Sequence, residues 1–409
     1  MLKKIVTNEL RTGMYIHALC GSWMANPFWR KSFLISSDDL CMRVRSSGVR
    51  EIWIDTDKGR DVVIDNRSDT PSENSFVVEG MHANSFQFSN ITPSSTTHEF
   101  DRAAQLIAKS KEAVTAMFFE ARMGRFSSIE HADSLVDEIA LSVIRNTQAL
   151  ISLSRLKQSD DYTYMHSVAV CAMMVALARQ LGMAEEEVRL CGKAGLLHDL
   201  GKMAIDHDVL NKPGPLTDQE FMCIQTHPQS GYEMLLSIND IPPAVLDVCL
   251  HHHEKFNGHG YPSGLCGEEI SIYARMGAVC DVYDAITSNR PYKLGWCPSE
   301  SLRRMAEWAK DGHFDQAIFE AFVKCVGIYP IGTLLKLKSG RLAVVIDISK
   351  SLLRPMVNVF FSTRSMTYLQ PHVLDLSLLA DTEGIASCED ASAWKLTDIN
   401  KYWGQDSRH

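Results

Sequence analysis

Histidine is distributed unevenly along this chain of 409 residues. Eight of its 15 histidines lie between His166 and His259, in less than a quarter of the sequence. A single histidine in a helix is more often packed or solvated than a ligand, but many histidines interleaved with aspartates favour a metal site. The fold that this sequence adopts must therefore bring these side chains together.

The best candidates stand in short polar strings within apolar surroundings. His198 and Asp199 are adjacent in GLLHDLGK, where a buried aspartate is costly unless it is paired or bound to a metal. His251, His252 and His253 are consecutive, and neighbours on a helix point about 100° apart, so two of the three can face one site. The candidate metal ligands are His166, His198, Asp199, His227, His252, His253 and Asp281.

This set is larger than one tetrahedral zinc requires. Mixed imidazole and carboxylate ligands suit iron or manganese, and two ions ~3.5–4 Å apart can hold a hydroxide for attack on phosphorus. The apolar run before His198 predicts a buried helix, in which Lys202 would lie on about the same face as His198 and Asp199. Arg290 and Lys293 stand in TSNRPYK, so all three cations are candidates for phosphate contacts. A surface salt bridge explains Lys202 equally well, and a solvated helix end explains the other two cations.

Periodicity and composition divide the chain into five parts. The prediction is a small α+β domain (1–65), a polar linker (66–97), a helical connector (98–158), a domain of short helices (159–328) and a β-rich appendage (329–409). Within the connector, 129–156 is expected to be one helix. Thr217, Ser271 and Asp315 are expected to cap helices. Strands are expected at Thr333–Lys338, Arg341–Ile348 and Val357–Phe361.

Composition excludes several classes of function. The net charge of −9 argues against a DNA-, RNA- or anionic-membrane-binding protein. The 11 cysteines are scattered without a C-x-x-C pair, which is typical of free thiols in a reducing cytoplasm. The N-terminal residues lack the apolar core of a signal peptide, and the apolar run Val168–Ala178 is too short to span a membrane. We therefore expect a cytoplasmic protein in which that run is a core helix.

Five strings occur in order between Asp160 and Lys293: YTYMHS, HDLGK, HPQSG, HHEKFNGHGYP and DVYDAITSNRPYK. In this order and spacing they resemble the HD-GYP family of bacterial cyclic di-GMP phosphodiesterases. RTGMYIHAL, SWMANPFW and VREIWIDTDKG resemble an accessory domain of unknown function that often precedes that catalytic domain. The resemblance implies a helical HD fold. Together with the small α+β N-terminal domain and the short β C-terminal appendage that the sequence pattern indicates, it makes a mainly α protein the expectation.

The same resemblance implies a site and a reaction. Two divalent metal ions, Fe or Mn, would be held by the seven candidate ligands, with Asp199 and Lys202 as catalytic residues. Cyclic di-GMP would be hydrolysed to pGpG, with GMP as an open further product, by a metal-bridged hydroxide that attacks phosphorus. The implied substrate-binding residues are Lys202, Arg290, Lys293, Gly260, Tyr261 and Pro262.

Three positions depart from the family pattern. Asn257 replaces a common aspartate, and Lys293 replaces a common arginine, which keeps the charge and loses the bidentate fork. Tyr162 stands where some members carry a glutamate that binds a third metal, with Asp160 and Asp161 nearby. Two metals are therefore expected rather than three.

Several alternatives stay open at the level of sequence. The chain could be a catalytically silent cyclic-dinucleotide receptor, or the same enzyme acting on 3′,3′-cGAMP. Some HD-domain proteins with di-iron sites are oxygenases, but the GYP loop and RPYK segment favour the dinucleotide enzymes. A homodimer and signalling-protein partners are not decided by the sequence.

Overall fold

The computed structural model describes most of the chain and divides it into two compact units, 1–91 and 92–409. The described residues are 2–19, 32–46, 51–60, 96–124, 130–154, 162–212, 214–288, 295–349, 351–379, 382–396 and 398–403. Residues 66–95 of the predicted polar linker (66–97) lie outside the described residues, and the first long helix begins at Thr96.

The N-terminal unit is an antiparallel sheet with one helix. Its elements are β1 (Leu2–Val6), β2 (Tyr15–Leu19), β3 (Phe33–Leu34), α1 (Asp38–Ser46) and β4 (Glu51–Asp55). The strand order in the sheet is β1-β4-β2-β3. Alternate residues of β4, Ile52 and Ile54, face the core, where they pack with Ile5, the one buried residue of β1. The predicted small α+β fold is confirmed.

Helices build most of the second unit, and the predicted mainly α class is confirmed. They are α2 (Thr96–Arg122), α3 (Glu130–Arg145), α4 (Thr147–Ser154), α5 (Tyr162–Gln180), α6 (Glu185–Leu197), α7 (His207–Leu210), α8 (Asp218–Ile224), α9 (His227–Leu236), α10 (Pro243–His251), α11 (Ile272–Thr287), α12 (Pro298–Lys310) and α13 (Gln316–Val326). A 3₁₀ helix, Leu200–Ala204, follows α6.

Helix α5 is the centre of this unit. The run 168–178 within it is buried at every position, and α2, α3, α4, α6, α11 and α13 all pack against it. A helix that is apolar all round is a core helix, as the sequence predicts for this run. Among the described helices, none combines the length and apolar character needed to cross a bilayer.

The segment 129–156, expected to be one helix, is two. The Asn146 side-chain Oδ1 accepts the backbone N–H groups of Gln148 at 3.0 Å and Ala149 at 3.1 Å, so Asn146 caps the start of α4. The expectation was wrong because the apolar stripe continues across Asn146, whereas its short amide side chain competes with the helix for backbone hydrogen bonds.

Three other helix starts follow their local signals. The hydroxyls of Thr217 and Ser271 accept the N–H groups of Glu220 at 3.3 Å and Ala274 at 3.1 Å. The Asp315 carboxylate accepts from Ala317 at 2.8 Å. These caps confirm the predicted starts of α8, α11 and α13 and fix where the following side chains point.

The C-terminal part of this unit is a five-stranded antiparallel sheet of order β8-β7-β6-β5-β9. The strands are β5 (Leu334–Leu337), β6 (Arg341–Asp347), β7 (Met356–Ser362), β8 (Thr367–Asp375) and β9 (Ile385–Cys388). The first three were predicted, with ends shifted by a residue. The edge strands β8 and β9 were missed because they are largely exposed and lack an apolar alternation, and β8 contains Pro371, which an edge strand tolerates.

Two glycines let the 3₁₀ helix approach α9. A Cβ atom on Gly201 would lie 1.9 Å from the His227 carbonyl oxygen and 2.4 Å from the Gly231 backbone nitrogen. A Cβ atom on Gly231 would lie 2.9 Å from the Gly201 nitrogen. Backbone therefore packs on backbone here, which sets the distance between the HDLGK string and His227.

We expect Gly201→Ala to lower the free energy of unfolding by about 3 kcal/mol or more, the upper end for overpacking, because only backbone surrounds the added methyl. Urea unfolding would measure the loss. Gly384→Ala is the control, since its methyl would meet only the flexible end of Lys338, at 3.4 Å. Equal stabilities of the two variants would contradict this packing.

Candidate metal centre

Five separate segments supply the candidate ligands. His166 lies in the first turns of α5, His198 and Asp199 at the junction of α6 with the 3₁₀ helix, and His227 at the start of α9. His252 and His253 follow the last residue of α10, and Asp281 lies in the middle of α11. The expectation that His198 and Asp199 lie inside one helix with Lys202 was wrong, because α6 ends at Leu197.

Asp199 is the side chain around which the others gather. Its Oδ2 lies 3.3 Å from His166 Nε2 and 3.4 Å from His198 Nε2. Its Oδ1 lies 3.4 Å from His227 Nε2 and 3.7 Å from His252 Nε2. The two oxygens of one buried carboxylate thus face two different groups of imidazoles.

Asp281 is the second carboxylate of the cluster. Its Oδ1 lies 3.0 Å from His166 Nε2 and 3.9 Å from His198 Nε2, and its Oδ2 lies 3.7 Å from His253 Nδ1. The structure therefore brings all seven candidate ligands together. The potential ligand atoms form two groups, and within each group they lie within 4.8 Å of one another. The groups are His166, His198 and Asp199, and His227, His252 and His253.

Backbone carbonyls orient three of the imidazoles. His198 Nδ1 donates to Gly195 O at 2.8 Å, and His227 Nδ1 donates to Ile224 O at 2.7 Å. His252 Nδ1 donates to the carbonyl oxygen of Val248 at 2.9 Å. A carbonyl only accepts, so each ring carries its proton on Nδ1 and presents the lone pair of Nε2 to the cluster, as a metal ligand requires.

Burial and neighbouring charges shift the ionisation of the cluster. Burial alone would raise the pKa of Asp199, but His198, Lys202 and His166 hold it well below its usual range. Burial lowers the pKa of His227 to about 3 and that of His253 to about 4. The carboxylates are therefore charged and these two imidazoles neutral near pH 7.

His166 has the opposite behaviour. Burial alone would lower its pKa, but hydrogen bonds to Asp199, Asp281 and Asp284 raise it to about 10. In this ring the imidazolium form supplies a positive charge among three carboxylates, a role that a metal cation would take over.

A metal fits this arrangement on two observations. His198 Nε2 and Asp199 Oδ1 are buried and make no hydrogen bond within the described residues, although each is aimed at the cluster. Buried polar atoms without partners are costly unless they are ligands, and imidazole nitrogen with carboxylate oxygen is a donor set for divalent transition ions.

Lys202 and Tyr261 line the open side of the cluster. The Lys202 ammonium lies 2.5 Å from Asp199 Oδ2, and its side chain is 19% exposed, so it can also reach an incoming anion. The Tyr261 ring stacks on His253 with 4.8 Å between ring centroids. Both residues therefore contact members of the cluster and border it.

Two buried carboxylates were not among the predicted site residues. Asp284 Oδ2 accepts from His166 Nδ1 at 2.7 Å, so it orients that ring from behind. Glu254 Oε1 accepts the N–H groups of Ser263 at 2.7 Å and Gly264 at 3.0 Å and ties down the loop that follows Tyr261. Helical spacing from Asp281 is the signal that could have selected Asp284, while nothing in the sequence separates Glu254 from a surface glutamate.

The Gly260-Tyr261-Pro262 loop folds back on Glu254. A Cβ atom on Gly260 would lie 2.4 Å from the Glu254 Cα, so only glycine permits this approach. Asn257, one of the departures from the family pattern, donates to the Asp311 carbonyl oxygen at 2.9 Å and thereby holds the loop.

His251, the third histidine of the triplet, was not a predicted ligand. Its Nδ1 lies 2.8 Å from Asp247 Oδ1, and it is not part of the cluster. Arg290 and Lys293 lie outside the described residues, as do Asp160, Asp161 and the side chain of Tyr162.

Comparison with known proteins gives matches over nearly the whole chain. Residues 2–132 match a domain of unknown function, and residues 142–318 match the HD domain. The chain is 50% identical to a cyclic di-GMP phosphodiesterase of Pseudomonas aeruginosa, over 98% of this chain and 96% of that protein.

Two further relatives match over part of the chain. A cyclic di-GMP phosphodiesterase response regulator of Xanthomonas campestris is 40% identical over 42% of this chain and 47% of its own length. A 3′3′-cGAMP-specific phosphodiesterase of Vibrio cholerae is 31% identical over 43% of this chain and 41% of its own length.

We expect metal binding at pH 8 to release about one proton, because a ligand must be deprotonated to bind. The pKa of about 10 keeps His166 charged at pH 8 without metal, whereas His227 and His253 are already neutral. Calorimetric titration with Mn²⁺ in buffers of different ionisation enthalpy measures this number.

The matched control for this titration is Asp284→Asn. It removes one of the carboxylates that raise the His166 pKa, so fewer protons should be released, whereas a proton from any other group would persist. Binding to the unaltered protein without proton release would contradict the assignment of His166 as a ligand.

Proposed function

Because this chain belongs to the HD-GYP family of cyclic di-GMP phosphodiesterases, we propose that it hydrolyses cyclic di-GMP to linear pGpG at the histidine–aspartate cluster. The observation that supports this proposal most is the completeness of the cluster. All seven candidate ligands converge, and the carboxylates of Asp199 and Asp281 are shared among the imidazoles. GMP as an end product would require a second cleavage at the same site.

We propose two divalent ions as cofactors, Fe or Mn. One would be held by His166, His198, Asp199 and Asp281, and the other by His227, His252 and His253 together with Asp199. The mixed nitrogen and oxygen donors support this choice. When bound, such a pair supplies a nucleophile derived from water and positive charge for the phosphate oxygens.

The chain's own residues prepare the site for a phosphodiester. Lys202 adds a positive charge next to Asp199 and would stabilise the negative charge that develops on the phosphate. Tyr261, stacked on His253, would border the pocket, while Glu254 keeps Gly260, Tyr261 and Pro262 in place. Arg290 and Lys293 would contact phosphate or guanine, as the family resemblance implies.

Cyclic di-GMP is favoured over 3′,3′-cGAMP as the substrate. The relative that matches nearly the whole chain, at 50% identity, is a cyclic di-GMP enzyme, whereas the cGAMP-specific relative matches less than half of it at 31%. A side-by-side turnover assay of the two dinucleotides separates them, because their difference lies in base-edge contacts.

The chain would work in the cytoplasm, where its thiols stay reduced. Ten cysteines in the described part of the chain are free. Its acidic net charge argues against DNA or RNA as a partner and is compatible with a small anionic substrate held by a few local cations. A homodimer and a partner signalling protein remain proposals for the N-terminal domain and the helices that follow it.

We expect Asp199→Asn to reduce hydrolysis of cyclic di-GMP by Mn-loaded protein to background, because one amide cannot replace a carboxylate shared by two ligand groups. Chromatography of the nucleotide products measures turnover. His251→Gln is the matched control, since this histidine adjoins His252 but bonds Asp247 outside the cluster. Tight nucleotide binding without turnover in metal-replete unaltered protein would instead make the chain a silent receptor.

Lys202→Met should lower kcat by about 10²–10³-fold, the cost of losing one group that stabilises developing charge. Mass spectrometry should find the same metal content in this variant as in the unaltered protein, because the loss of kcat is then due to the missing positive charge. Lys202→Arg keeps the charge and should recover part of the loss. A change confined to metal content, with kcat per bound metal unchanged, would show that Lys202 only supports Asp199.

A further inference from the structure

Two cysteines that are not part of the metal centre meet where the helical part of the second unit adjoins its C-terminal sheet. Cys297 immediately precedes α12, and Cys388 is the last residue of the edge strand β9. Both side chains are partly exposed. The proposed hydrolysis uses neither of them.

One hydroxyl lies between the two sulfurs. Ser299 Oγ lies 3.3 Å from Cys297 Sγ and 3.2 Å from Cys388 Sγ. Two sulfurs held by one hydroxyl oxygen are near neighbours. Rotation about their side-chain bonds is the movement that a disulfide between them requires.

The two thiols are not equivalent. The neighbouring Cys388 thiol, the Ser299 hydroxyl and the first backbone N–H groups of α12 lower the pKa of Cys297. The same pairing raises the pKa of Cys388. Cys297 is therefore the more acidic thiol, and Cys388 is its neutral neighbour. Tyr329 and Glu389 are the other titratable groups beside the pair.

Most other cysteines in the described part of the chain lack these properties. Burial raises the pKa of five of them, namely Cys171, Cys191, Cys249, Cys280 and Cys325. Cys223 and Cys266 are exposed, and they serve as internal references for an ordinary accessible thiol. A reactive thiolate with a second thiol beside it is the arrangement found in peroxide-sensitive sites.

We propose that Cys297 and Cys388 form a reversible disulfide on exposure to hydroperoxide, which makes this pair an oxidative modification site. The Cys297 thiolate attacks one peroxide oxygen, the O–O bond breaks and hydroxide leaves, so that the sulfur becomes a sulfenic acid. The Cys388 thiol then attacks this sulfur, the S–S bond forms, and the hydroxyl group leaves with the thiol proton as water. The two thiols give up two electrons, which reduce the peroxide.

The disulfide would join α12 to β9 covalently. It would tie the helical part of the unit, where the metal ligands lie, to the C-terminal sheet. A dithiol reductant would reverse the link. The test of this site is independent of the hydrolytic reaction, because it measures the covalent state of two sulfurs and not turnover.

Peptide mapping of the full-length protein tests the link. Trypsin places Cys297 on peptide 294–303 and Cys388 on peptide 365–395, each as the sole cysteine of its peptide. After reduction and treatment with hydrogen peroxide, mass spectrometry without reductant should find these two peptides joined, and a dithiol should separate them. Cys223→Ser should leave the link unchanged.

Single variants test the order of the two steps. Cys388→Ser should stop the reaction at a sulfenic acid on Cys297 that a dimedone probe captures, whereas Cys297→Ser should leave Cys388 unlabelled. At pH 6 an alkylating reagent should modify Cys297 about tenfold faster than Cys223, because its larger thiolate fraction outweighs its lower intrinsic nucleophilicity. Ser299→Ala should reduce that advantage.

Absence of the joined peptides, with Cys297 and Cys223 alkylated at equal rates, would overturn the proposal. So would a disulfide that forms equally well in Ser299→Ala and pairs Cys297 with Cys266, because the geometry around Ser299 would then be irrelevant.

Discussion

One buried carboxylate organises this molecule. Asp199 lies at the centre of the helical unit with its two oxygens turned toward separate groups of imidazoles, and it carries a full negative charge in an apolar interior. Such a charge is tolerated only with compensation, which comes from Lys202 at 2.5 Å and from the protonated His166. The end of α6 at Leu197, the glycines that let α9 approach and the caps that start α11 all serve to aim side chains at this one group.

The sequence predicted much of this arrangement, and the residues show where prediction stops. Clustered histidines and the HDLGK string identified the ligands because metal chemistry demands particular side chains at particular spacings. Asn146 was missed as a helix cap because an apolar stripe runs past it, and strands β8 and β9 were missed because exposed edge strands need no apolar alternation. Asp284 and Glu254 act through contacts with residues distant in the chain or in a loop, and only folding reveals those contacts.

The site separates positioning from chemistry. Carbonyl oxygens of α6, α8 and α10 accept hydrogen bonds from the Nδ1 atoms of three histidines. The orientation of these rings, and hence the position of their Nε2 atoms, is therefore set before a substrate binds. The Tyr261 loop, which Glu254 and Asn257 hold in place, lies against His253 at the edge of the cluster. The thiol pair at Cys297 and Cys388 belongs to neither group, and it gives the C-terminal sheet a chemistry of its own.

The most direct test of the central claim is anomalous diffraction from crystals of the Mn-loaded protein, recorded on both sides of the metal absorption edge. We expect two peaks that flank Asp199. One should lie within coordination distance of His166, His198 and Asp281, and the other within coordination distance of His227, His252 and His253. Peaks elsewhere in the molecule, or none at Asp199 in protein that hydrolyses cyclic di-GMP, would contradict it.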